Sequence, residues 1–235
     1  MKGVVLAGGL GTRMSPLTEN DNKHYLPVYN RRMIEYPINT LVDAGIKDII
    51  LVTGGKRPGQ FLELLKNGKN WDINRLYYTY QEGNGGIADA LKLAKPFLAP
   101  GEPCTVILGD NYFEEKISIP RKIRGAQVFL KETQTPRQFG IAEVDKNVII
   151  SIEEKPEQPK SNLAILGLYM LDYNVWDYLE KIEPSERGEL EITDILKFYM
   201  KSNQLTYQSY EGFWSDMGSF TSWTEVSQRV VKKCI

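Results

Sequence analysis

A doubly wound α/β sheet is the fold this sequence predicts. Strand and helix alternate through its first 110 residues, the strands have continuous apolar centres, and the first of them runs straight into a glycine-rich turn. Lys2–Ala7 reads as a short buried strand ended by Gly8-Gly9-Leu10-Gly11-Thr12-Arg13. Over 33–44, Met33, Ile34, Tyr36, Pro37, Ile38, Leu41 and Val42 make one apolar helical face, closed by Gly45, with Pro37 tolerable only in the first turn. Residues 48–53 form the next strand, apolar through its centre as in a parallel sheet covered on both faces, and Gly54-Gly55 breaks it. A helix follows over 58–66, a strand over Arg75–Gln81, and a helix over 87–94 opened by Gly85-Gly86. Cys104–Leu108 is a further buried strand, ended by Gly109-Asp110-Asn111.

After Phe113 the rhythm changes. Residues 127–132 read as a strand, 140–144 and 148–152 as a β-hairpin around Asp145-Lys146-Asn147, and 164–171 as a strand. Helices are expected over 174–182 and 191–201, a short strand over Leu205–Ser209, a tight segment over 213–218 and a terminal helix over 219–232. The expectation is a single domain over 1–235, with halves of about 1–113 and 114–235 and one continuous sheet that the second half decorates.

Composition narrows the partners. A chain of 235 residues, 42% hydrophobic and 25% charged, can bury a full core. A net charge of -1 argues against bulk binding of nucleic acid or an anionic membrane, so any phosphate site must be local. Cys104 and Cys234 are too few and too far apart for a disulfide scaffold or a cysteine metal cluster. His24 is the single histidine, which sets aside a His/Cys zinc site. The opening strand and the lack of any apolar run of roughly 18 residues predict no signal peptide, no membrane span and a cytoplasmic location.

The glycine turn after the first strand lets successive N–H groups face one concavity, a way to cradle phosphate. It lacks the third glycine of the dinucleotide fingerprint, where Met14 stands, and the Gly-Lys-Ser/Thr ending of the Walker pattern. Arg13 and, ten residues on, Lys23 add two cations suited to polyphosphate. In open α/β sheets ligands sit at the carboxyl ends of the strands, where Gly54-Gly55, Gln81, Gly86 and Asp110 also fall. Asp110 either caps the next element or holds a hard cation such as Mg²⁺, with Asp216 as the second carboxylate or simply a turn residue. Glu153-Glu154-Lys155 is either a solvated strand end or a site in which Glu154 binds a polyol and Lys155 a monophosphate. Residues 188–194 read mainly as a helix cap, His24 as a positioning or packing residue, and Lys56-Arg57 as a surface pair.

Several motifs in order then carry a resemblance. L-A-G-G-x-G-T-R (6–13), P-L-T (16–18), N-K-H-x-L-P-V (22–28), L-G-D-N (108–111), E-E-K-P (153–156) and R-G-E-L-E-I-T-D (187–194) make the chain similar to the sugar-nucleotide pyrophosphorylases, most of all the short glucose-1-phosphate thymidylyltransferases. The likeness runs from Lys2 to about Val226. It implies a Rossmann-like mixed central sheet flanked by helices, a GT-A-like nucleotidyltransferase fold whose second half is an integrated sugar-binding part. The implied reaction is Mg²⁺-dependent: dTTP and α-D-glucose 1-phosphate give dTDP-glucose and pyrophosphate. By motif, Leu6, Gly8, Gly9, Gly11 and Thr12 would line the nucleotide, with Arg13 on the leaving phosphates and Lys23 toward the α-phosphate. Gln81 and the Gly86 backbone match thymine-reading positions, and Asp110 and Asp216 match metal ligands. Asn111, Gly140, Glu154, Ile165 and Gly167 match the sugar side, Lys155 the sugar phosphate, and Tyr169 and Trp214 would close it. A homo-oligomer is compatible with the family.

The chain also departs from the pattern. Asp89 stands where Gln is frequent, Phe139 where Tyr is common before Gly140, and Ser215-Asp216-Met217-Gly218 in place of Asp-x-Gly-Thr. The sequence stops at Ile235, short of the helices that longer members use for a second nucleotide site, so end-product regulation there is not expected. The runner-up is a UTP-using or modified-hexose-1-phosphate nucleotidyltransferase. A metal-dependent glycosyltransferase would ordinarily show Asp-x-Asp where Asp110-Asn111-Tyr112 stands, and a silent sugar-nucleotide-binding paralogue would have less reason to keep Arg13, Lys23, Asp110, Lys155 and Asp216.

Overall fold

The computed structural model describes residues 1–234, with Cys234 as backbone only, so the sequence expectation for the Cys234 thiol lies outside the described residues. In chain order the elements begin β1 (Lys2–Ala7), β2 (Pro27–Val28), β3 (Arg31–Arg32), α1 (Glu35–Asp43), β4 (Asp48–Gly54), α2 (Gly59–Leu65) and β5 (Arg75–Gln81). They continue with α3 (Ile87–Lys92), β6 (Cys104–Leu108), β7 (Asn111–Phe113), β8 (Ala126–Glu132), β9 (Gly140–Asp145), β10 (Val148–Glu154) and β11 (Leu163–Leu171). Last come α4 (Val175–Leu179), α5 (Ile192–Lys201), β12 (Leu205–Ser209), β13 (Trp214–Asp216) and α6 (Phe220–Cys234). Parallel and antiparallel ladders both occur, so the architecture is mixed α/β.

Two compact units share the chain. The first comprises Lys2–Asn84, Ile107–Ile119 and the chain from Gly212 onward; the second comprises Met1, Gly85–Val106 and Pro120–Glu211.

In the first unit β4 pairs in parallel with both β1 and β5, Val5 facing Leu51 and Leu51 facing Tyr78. Val4, Val5 and Ala7 of β1 and Ile49 to Val52 of β4 are wholly buried, which is why these strands lack the alternation of a half-exposed sheet. The helix α1 brings Leu41 onto β1 so closely that a Cβ at Gly3 would lie 2.7 Å from its Cδ1. A second cluster joins Met14, Leu26, Val28 and Met33 to Tyr112, Met217, Val226 and Val230. Through it the C-terminal helix packs on the β2–β3 hairpin, and Trp223 Nε1 donates to the Pro27 carbonyl at 2.9 Å. The sequence expectation of a tight segment over 213–218 becomes a strand, β13, antiparallel to β7.

In the second unit β9, β10, β11 and β8 pair antiparallel, and β12 joins β8 in parallel. The amphipathic α5 buries Ile192, Ile195, Leu196 and Tyr199, and Tyr178 of α4 stacks on its Phe198 at 5.1 Å. Apart from α6, which runs two residues past its expected end, the helices are shorter than periodicity predicts. Pro37 sits in the first turn of α1, where its missing N–H costs nothing, and Met33 and Ile34 are buried before the helix begins. The expected helix over 87–94 stops at Lys92, and the chain continues into a 3-10 turn, Lys95–Phe97.

Candidate active site

The site is built outward from the end of β1. A Cβ at Gly54 would lie 2.8 Å from Gly8 Cα, so the ends of β1 and β4 approach as only glycines allow. The buried Gln81 amide at the end of β5 lies against Gly8. Leu6 is buried, and its carbonyl accepts the Gly109 N–H at 2.8 Å, which fixes where Asp110 emerges after β6. Gly11 is left-handed at φ 67, and its carbonyl accepts Thr18 Oγ1 at 2.7 Å. The 3-10 turn that follows, Thr12–Met14, buries Met14 and leaves Thr12 and Arg13 exposed.

Lys23 belongs to a second 3-10 turn, Lys23–Tyr25. Its stem lies along the glycine turn: a Cβ at Gly11 would stand 2.9 Å from Lys23 Cβ, and one at Gly9 would stand 3.4 Å from its Cε. The ammonium then meets Asp110 Oδ2 at 2.5 Å, while Asn111 Nδ2 donates to Asp110 Oδ1 at 2.9 Å. Burial alone would raise the Asp110 pKa, but the Lys23 charge and these two hydrogen bonds outweigh it and hold the carboxyl below its ordinary range. The β7–β13 ladder sets Asp216 opposite Asn111, and Met217 N–H donates to the Asp110 carbonyl at 2.8 Å. Asp216 is pushed up to about 6, by burial first and by the neighbouring Asp110 charge second, against the pull of Lys23 and Arg13. A Cβ at Gly218 would lie 3.0 Å from an Arg13 guanidinium nitrogen, 3.3 Å from Asp216 Oδ2 and 3.7 Å from Asp110 Oδ2. Two carboxylates and two cations therefore gather beside the glycine turn. Trp214 Nε1 donates to Asn111 Oδ1 at 2.7 Å, so Trp214 orients the same amide that holds Asp110.

The other sequence-predicted residues belong to the second unit. Gly140 faces Glu154 across the β9–β10 ladder, and a Cβ on it would lie 2.8 Å from Thr193 Cγ2, 3.3 Å from Glu154 Oε2 and 3.9 Å from Ile165 Cδ1. Gly140, Glu154 and Ile165 are thus brought together. Gly167 and Tyr169 follow in β11, both buried, across an irregularity in its pairing with β8 between Ile165 and Tyr169. Lys155 has φ 43; its N–H donates to the Phe139 carbonyl at 3.0 Å, and its half-exposed ammonium is 3.8 Å from Glu154 Oε1. Burial raises the Glu154 pKa most, helped by Glu191 and opposed by Lys155, Arg187 and the Thr193 hydroxyl. At Gly86 a Cβ would stand 2.6 Å from the Leu190 carbonyl, so this loop is glycine for a close backbone approach. The Asp89 carboxylate packs against Gly85.

Three groups carry more than their motifs suggest. Arg187 Nη2 reaches Glu191 at 2.7 Å, Glu189 at 3.4 Å and Glu154 at 3.5 Å. The cap expected over 188–194 is only partly realised: α5 starts at Ile192, and Glu191 stands at its N-cap position but makes no cap hydrogen bond, pairing instead with Arg187 and Ser185. Asn22 is buried beneath Lys23, a placement its position in N-K-H gives no periodic signal for. His24 is buried as a packing residue, its pKa lowered to about 3 by burial and the Lys23 charge. Lys56 and Arg57 do lie at the surface, Arg57 on Asp21 at 3.0 Å. Among the described residues no group of three His, Cys, Asp or Glu side chains forms a metal cluster, and no helix is long and apolar enough to cross a membrane.

A glycine turn beside paired carboxylates and cations, on a mixed α/β fold, suits a nucleotidyltransferase. The nucleotidyl transferase family model matches residues 2–233, and the chain belongs to that family of enzymes. Its resemblance to the glucose-1-phosphate thymidylyltransferases is extensive. It is 40% identical to the glucose-1-phosphate thymidylyltransferase of Neisseria gonorrhoeae over 98% of this chain and 82% of that protein. A Bacillus anthracis structure of a glucose-1-phosphate thymidylyltransferase with sucrose superposes with a TM-score of 0.90 at 39% identity, covering 97% of this chain and 94% of that one. A UDP-glucose pyrophosphorylase complexed with UDP-glucose gives 0.83 at 26% identity over 99% and 98%.

Proposed function

We propose that the chain transfers a nucleoside monophosphate from dTTP to α-D-glucose 1-phosphate, giving dTDP-glucose and pyrophosphate. The observation that carries this reading is the gathering of Arg13, Lys23, Asp110 and Asp216 beside the glycine turn. The nucleophile is a sugar-phosphate oxygen already anionic at neutral pH, so no general base is required. It attacks the α-phosphorus in line, and the bond to the β-phosphate breaks with its electron pair leaving on pyrophosphate. The obstacle is bringing two polyanions together, which fixed cations and backbone N–H groups overcome by positioning and electrostatics.

In this reading the turn at Gly8, Gly9 and Gly11 holds the triphosphate, Arg13 the departing phosphates and Lys23 the α-phosphate. Gln81 and the Gly86 backbone read the base. Gly140, Glu154 and the backbone near Ile165 and Gly167 take the hexose hydroxyls, Lys155 takes the sugar phosphate, and Asn111, Tyr169 and Trp214 shape the sugar side. Asp110 and Asp216 suit a hard divalent cation, because each is an oxygen donor and the charge on one disfavours ionisation of the other. They would hold Mg²⁺, which when bound supplies charge neutralisation for the phosphates.

A second reading, UTP as donor, is favoured by the likeness to a UDP-glucose pyrophosphorylase. The thymine methyl offers only about 1 kcal/mol of preference. Pyrophosphate release by the purified chain with Mg²⁺, each of dTTP, UTP, CTP, ATP and GTP, and a panel of sugar 1-phosphates separates them. Fastest release with dTTP and glucose 1-phosphate is expected; a UTP maximum supports the second reading, and no release with any pair overturns both.

A further inference from the structure

Asn22 uses its whole carboxamide, and it does so under Lys23. Its side chain is buried, with 2% of the residue exposed. Nδ2 donates to the Ala7 carbonyl at 3.0 Å and to the Gly54 carbonyl at 2.9 Å. Oδ1 accepts the His24 backbone N–H at 2.9 Å and lies 2.7 Å from His24 Nδ1. Two donors and two lone pairs are thereby all engaged. The two carbonyls terminate β1 and β4, one residue before Gly8 and one before Gly55; the acceptor side grips the 3-10 turn that carries Lys23. Few other side chains fit. An aspartate would turn an oxygen onto two carbonyl oxygens, and a glutamine would displace the turn by a methylene. His24, neutral in this surrounding, donates from Nδ1, and its ring packs near Gly9 and Gly109.

We propose that Asn22 is a positioning residue for nucleotidyl transfer, its carboxamide fixing the Lys23 turn to the carboxyl ends of β1 and β4 so that the ammonium meets the nucleotide phosphates from one direction. This rests on the nucleotidyl-transfer reading. The Lys23 stem has little freedom once its turn is pinned, because Gly9 and Gly11 lie along it. Releasing the turn leaves the charge in place but spreads its direction, and misplacement of a reacting or stabilising group by about 1 Å costs on the order of 100-fold in rate.

The test is a double-mutant cycle between Asn22→Ser and Lys23→Met. Serine leaves room for a water to satisfy the two carbonyls, and thermal unfolding of each variant shows whether it folds. With Lys23 present, Asn22→Ser is expected to lower kcat by roughly 10- to 100-fold, with the KM for the sugar phosphate little changed. In the Lys23→Met background the same substitution is expected to cost less than about 3-fold. An equal loss in both backgrounds, or a loss carried wholly by the sugar-phosphate KM, overturns the proposal. Should Asn22→Ser not fold, Asn22→Ala, which leaves room for water at the two carbonyls and adds no charge beside Lys23, takes its place in the cycle. Calorimetric binding of dTTP and UTP to the same four proteins gives a readout independent of turnover: Asn22→Ser weakens triphosphate binding only where Lys23 is present. A parent chain that binds triphosphate yet releases no pyrophosphate overturns the functional reading and leaves the binding cycle to decide Asn22. A parent chain that binds no triphosphate overturns both.

Discussion

In the proposed reaction Arg13 and Lys155 are cations with separate tasks, and their substitutions are expected to separate in kinetics. Arg13 is exposed beside the carboxylate pair and is assigned to charge that builds on the leaving pyrophosphate. Arg13→Ala is expected to lower kcat by on the order of 100-fold, about 3 kcal/mol of transition-state stabilisation, in steady-state pyrophosphate release. Lys155→Ala removes the charged donor proposed for the ground-state sugar phosphate and is expected to raise its KM by about 10-fold or more with a smaller effect on kcat. Unchanged values in both would contradict the assignments. His24 makes a prediction about stability instead. Its folded pKa is lowered to about 3 from 6.5, so the folded chain binds fewer protons than the unfolded one once pH falls below 6.5. The stability it contributes is complete above that value and drains away as pH falls toward 3. Between pH 7 and pH 5 this group alone should cost about 2 kcal/mol. Urea unfolding at both pH values checks it: His24→Gln, which carries no titrating ring, should show a correspondingly flatter loss than the parent chain.

The same glycine count hides opposite elements. Gly54 ends β4 where a Cβ would press on backbone: Gly8 Cα at 2.8 Å, and the Gly8 and Gln81 carbonyl oxygens each at 3.1 Å. Gly54→Ala is therefore expected to destabilise the chain by about 1–3 kcal/mol and to displace the glycine turn, read as a lower melting temperature together with weaker triphosphate binding. Gly59 opens α2 with nothing within 4 Å of its would-be Cβ, and Gly59→Ala should stabilise by about 0.4–1 kcal/mol in the same melts. Sequence legibility follows the same division. β1, β5, β6 and β12 run where apolar pattern and glycine breaks set them, because those signals are local. The three-residue β7 and β13 carry no readable period; they exist because Asn111–Phe113 pairs with a segment about a hundred residues on, and that pairing is what puts Asp216 near Asp110. Arg187 and Glu191 escaped for a similar reason, since an acid at a helix start reads as a cap until an arginine is seen to claim it.

At the scale of the whole chain, the parallel β1–β4–β5 ladder with the C-terminal helix forms one unit and the antiparallel β8–β11 strands with α5 another. The first gathers the glycine turn, Gln81, Arg13, Lys23 and the two aspartates; the second gathers Gly140, Glu154, Ile165 and Lys155 with Arg187. Motif order in the sequence identifies both sets, whereas their membership of discontinuous units depends on chain returns that no local pattern encodes. The chemistry proposed for this molecule is transfer at the α-phosphorus, and the most direct measurement follows the label. With glucose 1-phosphate as acceptor, dTTP labelled at the α-phosphate should pass its label to a nucleoside diphosphate sugar, and dTTP labelled at the γ-phosphate should yield labelled pyrophosphate. Label from the γ-position on the sugar phosphate, or as free orthophosphate, would contradict the proposed reaction.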